Sequence, residues 1–349
     1  MKVLGIESSC DETAAAVVDV DKSILSNVVS SQIQNHERYG GVVPEIAARA
    51  HMDQIQFITQ KALDDAKVTL SDIDGIAATC GPGLIGGVIV GMMAGKTIAC
   101  MADKPFIGIN HLEGHVLSPR LSDNIEFPYL VLLVSGAHTQ ILIAHNLGHY
   151  ELLGTTLDDA VGECFDKVGR MLGLPFPGGK HVAELAAQCK DITAAEKQFS
   201  LPRPMVGRDG CDFSFSGLKT AVLRYVTDNM SQDDKIMLAA AMEKAVAEIM
   251  NNRVKNAISI FNQRYGNNGD KKPYLVTGGG VAANQTIKDH LVRLTKEHNL
   301  IFTAPPPVLC TDNAAMIAWA GIERLKKGWV DSLDVKARPR WPLENLKRE

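Results

Sequence analysis

The sequence contains no Cys-x-x-Cys pair, although it has seven cysteines. Thiolate zinc sites and the disulfide frameworks of small secreted domains both require cysteines in regular pairs. The odd count and the irregular spacing argue against both kinds of site and favour a reducing compartment. The first residues, MKVLGIESSCDET, also lack the basic and then long apolar stretch of a secretory signal. We therefore expect a cytoplasmic protein.

The chain also lacks an excess of basic residues, with 36 Lys and Arg against 40 Asp and Glu. Any surface that binds nucleic acid must therefore be a local patch. The sequence has no Walker pattern, which disfavours an ordinary P-loop. The longest apolar run, residues 84–101, contains Lys96 and four glycines. We interpret this run as a buried helix rather than a membrane span, and we expect no membrane partner.

One pattern of elements occurs twice along the chain, which predicts a duplicated fold. Each half opens with three short apolar runs separated by turn residues, as in an antiparallel meander. Helices and strands then alternate in both halves. The predicted meander strands are Val3–Glu7, Thr13–Asp19 and Ile24–Ser30 in the first half, and Tyr129–Val134, Thr139–Ala144 and Tyr150–Leu153 in the second.

This arrangement predicts an α/β protein with two duplicated lobes, each a mixed sheet flanked by helices. The amino-terminal lobe should comprise residues 1–116 and roughly 325–349, and the carboxyl-terminal lobe residues 117–324. Ligands of such sheets bind where the strand-end loops meet. We therefore expect a ligand cleft formed by the strand-end loops of both lobes.

The sharpest local motif is Asn110-His111-Leu112-Glu113-Gly114-His115. Residues four apart stack on one face of a helix, so His111 and His115 could bind one metal ion. The alternative is a pair of polar surface histidines. Zinc proteases place a glutamate directly after the first histidine, whereas Glu113 would point to nearly the opposite side. The motif thus counts against a peptidase.

Two histidines do not complete a metal site, and the best third ligand is Asp312. This residue precedes the last long predicted helix, so it could equally be the N-cap of that helix. The spacing leaves both roles open. A mixed set of histidine and carboxylate ligands suits Fe(II) or Zn(II) better than Mg(II).

Three glycine-rich loops follow predicted strands or turns. They are Ser135-Gly136-Ala137-His138-Thr139, Gly178-Gly179, and Gly278-Gly279-Gly280, the last of which precedes Asn284. Glycines allow backbone amides to approach phosphate oxygens, and the N-terminus of a helix adds a favourable field. One such loop can be a simple turn. Three loops in matching places of a duplicated fold predict a bound ATP- or AMP-like nucleotide.

Acidic and basic side chains mark three further segments. Asp11 and Glu12 lie in the first hairpin turn, where one of them could hold a cation or orient an acceptor. Asp166 lies on a predicted helix from which it could reach a hydroxyl of the ligand. The basic and aromatic tail at 336–341 could contact RNA. The alternative in each case is a solvated surface.

With these residues in view, the chain closely resembles the TsaD family, formerly called the O-sialoglycoprotein endopeptidase family. The matching motifs run nearly end to end and are GIESSCDET, YGGVVPEIAAR, GPGLIGG, NHLEGH, VSGAHT, FDKVGRMLGL, DFSFSGLKTA, TGGGVAAN, CTDNAAMIAWAG and RPRWPL. The resemblance implies an actin/Hsp70-type (ASKHA) fold. It also implies an acyltransferase that moves threonylcarbamoyl from threonylcarbamoyl-AMP to N6 of adenosine 37, forming t6A in tRNAs that read codons beginning with A.

The resemblance further implies roles for individual residues. His111, His115 and Asp312 would bind one divalent metal, usually iron. The residues implied to bind the adenylate are Leu133, Val134, Ser135, Gly136, Ala137, Asp166, Gly179 and Asn284. The family's loop usually reads Ser-Gly-Gly-His-Thr, so Ala137 is a departure. If that position required a positive φ, the methyl group would cost about 1 kcal/mol.

The partners implied by the resemblance are tRNA, a degenerate paralogous (TsaB-like) subunit and a small ATPase (TsaE-like) subunit. Three other functions are weighed against transfer. A metal-dependent glycoprotease would rest on the histidine pair alone. A sugar-kinase-like ATPase of the same fold would need an acidic-glycine phosphate turn where this chain has ESSCDET. A non-catalytic scaffold would leave the metal and adenylate residues without a purpose.

Overall fold

The computed structural model describes residues 1–266 and 272–346. The strands, in chain order, are β1 (Lys2–Glu7), β2 (Glu12–Asp19), β3 (Ile24–Ser31), β4 (Gly75–Gly81), β5 (Phe106–Asn110), β6 (Tyr129–Val134), β7 (Thr139–Asn146), β8 (His149–Thr155), β9 (Tyr274–Gly278) and β10 (Ile301–Thr303). The α-helices are α1 (Ile33–His36), α2 (Pro44–Ala66), α3 (Ile85–Met101), α4 (His111–Ser122), α5 (Val161–Met171), α6 (Gly178–Ala186), α7 (Ile192–Gln198), α8 (Ser216–Leu223), α9 (Gln232–Tyr265), α10 (Gln285–Glu297), α11 (Pro307–Cys310) and α12 (Ala314–Leu325).

The chain forms two compact units. Unit 1 comprises residues 1–126, 146–150 and 305–349, and unit 2 comprises residues 127–145 and 151–304. Unit 1 therefore includes residues 117–126 and 305–324, which the sequence pattern had assigned to the carboxyl-terminal lobe. The reason is tertiary: α12 packs on β1, β2 and β4, all of which belong to unit 1.

Unit 1 is built on a five-stranded sheet with the order β3-β2-β1-β4-β5. The meander pairs β1, β2 and β3 antiparallel, and β4 and β5 then add to β1 in parallel. Every residue of β4 and β5 is buried, as expected of parallel strands covered by helices on both faces. A Cβ at Gly5 would lie 2.4 Å from the carbonyl oxygen of Ala314, so glycine allows α12 to pack directly on β1.

Unit 2 repeats this topology with the order β10-β9-β6-β7-β8. Strands β6 and β7 are antiparallel, whereas β6, β9 and β10 run parallel. The buried strand β6 and the long helix α9 supply much of the hydrophobic core of this unit. The two sheets therefore match strand for strand, which confirms the predicted duplicated α/β fold with mixed sheets.

The apolar run at 84–101 forms α3, whose glycine-rich face is buried within unit 1. A Cβ at Gly87 would lie 2.4 Å from the carbonyl oxygen of Ser8, so the helix approaches the end of β1 closely. Across residues 1–266 and 272–346, no helix combines the length and the apolar character that crossing a membrane requires.

Candidate metal centre and nucleotide-binding loops

Helix α4 begins directly after the buried strand β5, at the carboxyl edge of the unit 1 sheet. Asn110 caps the helix, because its side-chain oxygen accepts hydrogen bonds from the backbone amides of Leu112 and Glu113. The cap fixes the first turns of α4, which carry His111 and His115. Both histidines are buried, and their rings pack edge to face with centroids 4.8 Å apart. They are therefore not the surface pair of the alternative interpretation.

Asp312 meets the two histidines from the segment that precedes α12. Its Oδ1 lies 3.1 Å from Nε2 of His115 and 3.5 Å from Nε2 of His111. The N-cap of α12 is the next residue, Asn313, whose Oδ1 accepts a hydrogen bond from the amide of Met316. The N-cap role that the sequence left open for Asp312 thus belongs to Asn313, and the Asp312 carboxylate is directed at the imidazoles.

The donor set fits a divalent transition metal. The ligand atoms of His111, His115 and Asp312 lie within 4.8 Å of one another. Two ligands on one ion at about 2.1 Å stand roughly 3 to 4 Å apart, which matches the two nitrogen–oxygen separations given above. Two imidazole nitrogens and one carboxylate oxygen suit Fe(II) or Zn(II). This cluster can bind one metal ion.

Glu7 orients His111 by contacting the ring nitrogen that faces away from Asp312. The sequence pattern gave no signal for this role beyond an acidic residue at the end of a strand. Its Oε2 lies 2.9 Å from Nδ1 of His111 and accepts a hydrogen bond from the hydroxyl of Thr79 at 2.6 Å. Its Oε1 accepts from the amide of Ser9 at 2.5 Å. A carboxylate on one ring nitrogen fixes the tautomer and aims the other nitrogen at the metal.

Burial and charge set the protonation of this group. Burial alone would lower the pKa of His111, but the carboxylates of Asp312 and Glu7 outweigh it and hold this pKa well above its ordinary value. Burial would raise the pKa of Asp312 and of Glu7, yet the His111 imidazole reverses both shifts and lowers them. Without a metal, the site is a paired imidazolium and carboxylate cluster, so metal ions must compete with protons for it.

The acidic turn between β1 and β2 lies beside this cluster. Burial, together with the carboxylates of Asp312 and Asp11, raises the pKa of Glu12 to about 10. Glu12 therefore carries a proton at neutral pH and can donate a hydrogen bond. Within residues 1–266 and 272–346, neither Asp11 nor Glu12 belongs to the group of candidate metal ligands.

Glu113 faces away from the histidines, as its position on the helix predicts. Its Oε2 lies 2.5 Å from a guanidinium nitrogen of Arg324, and its Oε1 accepts a hydrogen bond from Tyr150 at 2.9 Å. Glu113 and Arg324 are 0% and 1% exposed, so they form a fully buried ion pair. A carboxylate engaged in this way cannot activate water at the metal, which argues against the peptidase.

In unit 2, the loop after β6 lies against two of the other predicted segments. The Ser135 hydroxyl oxygen accepts hydrogen bonds from the amides of Ala137 and His138, which folds the loop on itself. Gly279 has a φ of +94°, and a Cβ there would lie 2.4 Å from the carbonyl oxygen of Val134. A Cβ at Gly162, on α5, would lie 2.6 Å from the carbonyl oxygen of Ser135. Close backbone packing thus gathers these segments around the end of β6, where Leu133 and Val134 are buried.

Ala137 causes no backbone strain. The non-glycine residues with positive φ in the described chain are Lys22, Lys67, Asp103, Met205 and Asn299, so Ala137 is not among them. The departure from the family's usual Ser-Gly-Gly-His-Thr loop therefore carries no left-handed penalty.

Asp166 and Gly179 also come together in unit 2. Oδ1 of Asp166 accepts hydrogen bonds from the amides of Gly178 at 2.8 Å and Gly179 at 3.3 Å, at the start of α6. The close approach depends on glycine, because a Cβ at Gly178 would lie 2.8 Å from the Cα of Asp166. Asp166 is thus not a solvated helix-surface residue.

Asn284 is the N-cap of α10, where its Oδ1 accepts a hydrogen bond from the amide of Ile287. Its amide nitrogen donates to Glu243 at 2.7 Å, and the Thr286 hydroxyl donates to the other oxygen of Glu243. Glu243, on the buried face of α9, fixes the helix start that follows the third glycine loop. The motif TGGGVAAN gives no indication of this distant partner.

The segment Gly81-Pro82-Gly83-Leu84-Ile85-Gly86 has the spacing of a dinucleotide-binding motif and joins a strand to a helix. In the structure, backbone carbonyl groups from other parts of the chain pack against the glycines of this loop. A Cβ at Gly81 would lie 1.8 Å from the carbonyl oxygen of Arg338, and one at Gly83 would lie 2.5 Å from that of Ser9. These glycines admit protein backbone, so the motif is not interpreted as a cofactor site.

The family model and the curated relatives that match this sequence carry the same description. The sequence model of the family described as "TsaD: tRNA N6-adenosine threonylcarbamoyltransferase" matches residues 23–319. Curated proteins called tRNA N6-adenosine threonylcarbamoyltransferase from Brucella anthropi and from Brucella abortus (strain S19) are each 52% identical over 350 residues. Each alignment covers 99% of this chain and 96% of the relative.

Solved structures with low sequence identity share the fold. The activator of the 2-hydroxyisocaproyl-CoA dehydratase from Clostridium difficile aligns with a TM-score of 0.51 at 15% identity, over 94% of this chain and 97% of that one. HypF from T. kodakarensis aligns with a TM-score of 0.58 at 13% identity, over 93% of this chain and 48% of that one. These similarities concern the fold alone, and they agree with the predicted actin/Hsp70-type architecture.

Proposed function

The chain belongs to the TsaD family of tRNA N6-adenosine threonylcarbamoyltransferases, and on this premise we propose that it forms t6A in tRNA. It is a transferase whose acyl donor is threonylcarbamoyl-AMP and whose acceptor is N6 of adenosine 37, in tRNAs that read codons beginning with A. The observation that carries the proposal is the convergence of His111, His115 and Asp312 on a common point.

The three converging side chains would hold one divalent metal ion, with Fe(II) as the first choice and Zn(II) or Mg(II) as alternatives. When bound, such an ion supplies Lewis-acid stabilisation of negative charge on an oxygen of the substrate. The chain's own contribution is orientation. Glu7 and Ser9 hold Nδ1 of His111, so that Nε2 is directed towards Asp312.

In unit 2, the residues proposed to bind the adenylate are Leu133, Val134, Ser135, Gly136, Ala137, Asp166, Gly179 and Asn284. The geometry of these segments supports the proposal in two ways. A Cβ at Gly136 would meet no atom within 4 Å, so this loop can admit a ligand close to its backbone. Asp166 and Asn284 also hold the starts of helices α6 and α10 through hydrogen bonds to backbone amides, which fixes the glycine-rich segments around them.

The chemistry requires no covalent intermediate on the protein. The acceptor N6 attacks the carbamoyl carbon of the mixed anhydride, the bond from that carbon to the phosphate oxygen breaks, and AMP leaves as N6 loses a proton. Burial raises the pKa of the Cys10 thiol well above its ordinary value, and that of Cys164 to about 12, so neither is an activated nucleophile. Asp11 or Glu12 would orient the acceptor.

The proposed partners follow from family membership. They are tRNA as substrate, a degenerate paralogous (TsaB-like) subunit, and a small ATPase (TsaE-like) subunit. We propose a cytoplasmic location, because the reaction uses tRNA and an adenylate made from ATP.

The alternatives have less support. A glycoprotease would need a base at the metal, and Glu113 is engaged with Arg324 instead. A sugar-kinase-like ATPase of the same fold would have no use for the buried histidine pair.

Reconstitution tests the proposed function directly. The protein, both partner subunits, an unmodified tRNA transcript, ATP and preformed threonylcarbamoyl-AMP are incubated, and the tRNA is digested to nucleosides for mass spectrometry. We expect t6A to accumulate only in the complete mixture and only with a transcript that carries adenosine at position 37. A complete mixture of active partners that leaves this adenosine unmodified would reject the proposal.

A further inference from the structure

The carboxyl-terminal segment 331–341, here called the strap, starts beside the first residue of the edge strand β5 and continues to the carboxyl ends of β4 and β5. The Asp331 amide donates to the carbonyl of Phe106 at 2.8 Å, where the strap begins. Farther along, the Arg338 amide donates to the carbonyl of Cys80 at 2.8 Å, and the Gly83 amide donates to the carbonyl of Pro339 at 3.2 Å. The strap is therefore hydrogen-bonded to both β4 and β5 and is not a loose, solvated tail.

Side chains of the sheet edge hold the strap as well. Lys96 donates from its ammonium group to the carbonyl of Val335, and the Asn110 amide donates to the carbonyl of Trp341 at 2.8 Å. Asn110 also caps α4, which carries both histidines of the candidate metal centre. The far end of the strap is therefore anchored one residue away from His111.

The strap exposes a row of positive charges. Lys336, Arg338 and Arg340 occupy every second position and are all exposed. In the described part of the chain, none of the three forms an ion pair with a carboxylate. Arg338 lies over the buried ring of Trp341, with its guanidinium carbon 4.9 Å from the ring centroid. The acidic residue nearest in sequence to Lys336 is the exposed Asp334, which accepts a hydrogen bond from the Ser332 hydroxyl.

We propose that the strap is a docking surface for the phosphate backbone of the tRNA substrate, with Lys336, Arg338 and Arg340 as the phosphate contacts. The proposal rests on the proposed function and adds the surface that holds the acceptor. A chain with a net charge of −4 has no general attraction for RNA, so binding requires a local basic patch. Arginines on a fixed backbone are suited to phosphate, and the Trp341 ring limits the freedom of one of them.

The position of the strap supports this partner. The row starts beside Val335 and ends at Asn110, on the same sheet edge as His111 and the acidic turn. An acceptor base at the metal centre needs its flanking phosphates held nearby, and repulsion from Glu7, Asp11 and Asp312 must be balanced there. A segment that carries three exposed cations and is anchored at Asn110 meets both needs.

The test measures binding of tRNA separately from transfer. The affinity of the complex with its partner subunits for an unmodified transcript is measured by fluorescence anisotropy between 50 and 200 mM salt. The variant is Lys336→Gln/Arg338→Gln/Arg340→Gln. The matched control is Lys288→Gln/Arg293→Gln/Lys296→Gln, which removes three exposed charges from α10 in unit 2.

Each lost phosphate contact reduces the magnitude of the slope of log K against log salt by about 0.7 to 0.9, so the loss of three contacts should reduce it by roughly 2 to 3. We expect its dissociation constant to rise on the order of 10-fold or more at 100 mM salt, while the control stays within about 2-fold of the parent protein.

Two results would overturn the proposal. One is a strap variant with the affinity and salt slope of the parent protein, and the other is an equal loss in the control, which would reflect net charge alone. The single change Arg340→Gln, at an exposed side chain, should still lower the slope by about 0.7 if the triple variant folds poorly. Failure of the proposed function would appear differently, as tRNA that binds normally and is never modified.

Discussion

Replacing Glu113 by glutamine should destabilise unit 1 strongly, because Glu113 neutralises a guanidinium that is only 1% exposed. The change keeps the shape of the side chain, and the amide can still accept the hydrogen bond from Tyr150. It removes the carboxylate that lies 2.5 Å from Arg324. Arg324 retains only its hydrogen bond to the carbonyl of Gly108 at 2.8 Å. Breaking a buried ion pair by removing one partner costs about 3 to 5 kcal/mol.

Urea unfolding followed by circular dichroism measures this loss, with the transition of unit 1 fitted separately because two units need not unfold together. The matched control is Asp65→Asn on α2, which makes the same chemical change in an exposed i,i+4 pair with Lys61. Exposed pairs of this kind contribute about 0.3 to 0.5 kcal/mol. The double variant Glu113→Gln/Arg324→Met should recover much of the loss, since no buried charge is then left unpaired.

The same variant separates the structural role of Glu113 from a catalytic one. A glutamate that served as a base at the metal could be replaced with little change in stability and with complete loss of turnover. A loss below about 1 kcal/mol for Glu113→Gln, or no recovery in the double variant, would refute the buried ion-pair interpretation.

Two further predictions concern positioning and stability. Glu7→Gln should weaken Fe(II) or Zn(II) binding by about 10- to 100-fold in titration calorimetry, because His111 loses the carboxylate that orients its ring; unchanged affinity would contradict that role. Asp158 accepts hydrogen bonds from Ser214, Phe215 and Ser216 at the start of α8, and these outweigh partial burial and lower its pKa. The stability that Asp158 contributes to the fold is therefore fully present above its unfolded pKa near 3.8. It is lost as the pH falls through the lower pKa that Asp158 has in the folded protein. Asp158→Asn should cost about 1 kcal/mol at pH 7 and progressively less below pH 4 in urea unfolding, and a pH-independent difference would contradict the linkage.

The sequence predicted best what depends on local pattern. The apolar run at 84–101, which the sequence predicts to be a buried helix, forms α3, because an apolar run of this length is a signal that neighbours in sequence provide. The meander strands of both halves also lie within two residues of their predicted bounds, since turns and alternating burial define them.

Long-range contacts account for what the sequence could not supply. Glu7 and His111 are 104 residues apart, and only the parallel pairing of β1 with β4, and of β4 with β5, brings them together. The choice between ligand and N-cap for Asp312 depended on whether Asn313 capped α12, which spacing alone does not decide. The strap could have been a solvated tail, and its hydrogen bonds to β4 and β5 involve backbone groups that carry no side-chain signal.

The participation of the histidine pair in acyl transfer is tested most directly in a single-turnover reaction with preformed threonylcarbamoyl-AMP and unmodified tRNA, which removes any need for adenylate synthesis. The protein is compared with the variant His111→Ala/His115→Ala and with the control His298→Ala, which changes a histidine at the end of α10. The metal content of each protein is measured in parallel. We predict that the double variant loses both its metal and its formation of t6A, while the control retains both. Undiminished t6A formation by the metal-free double variant would contradict the account.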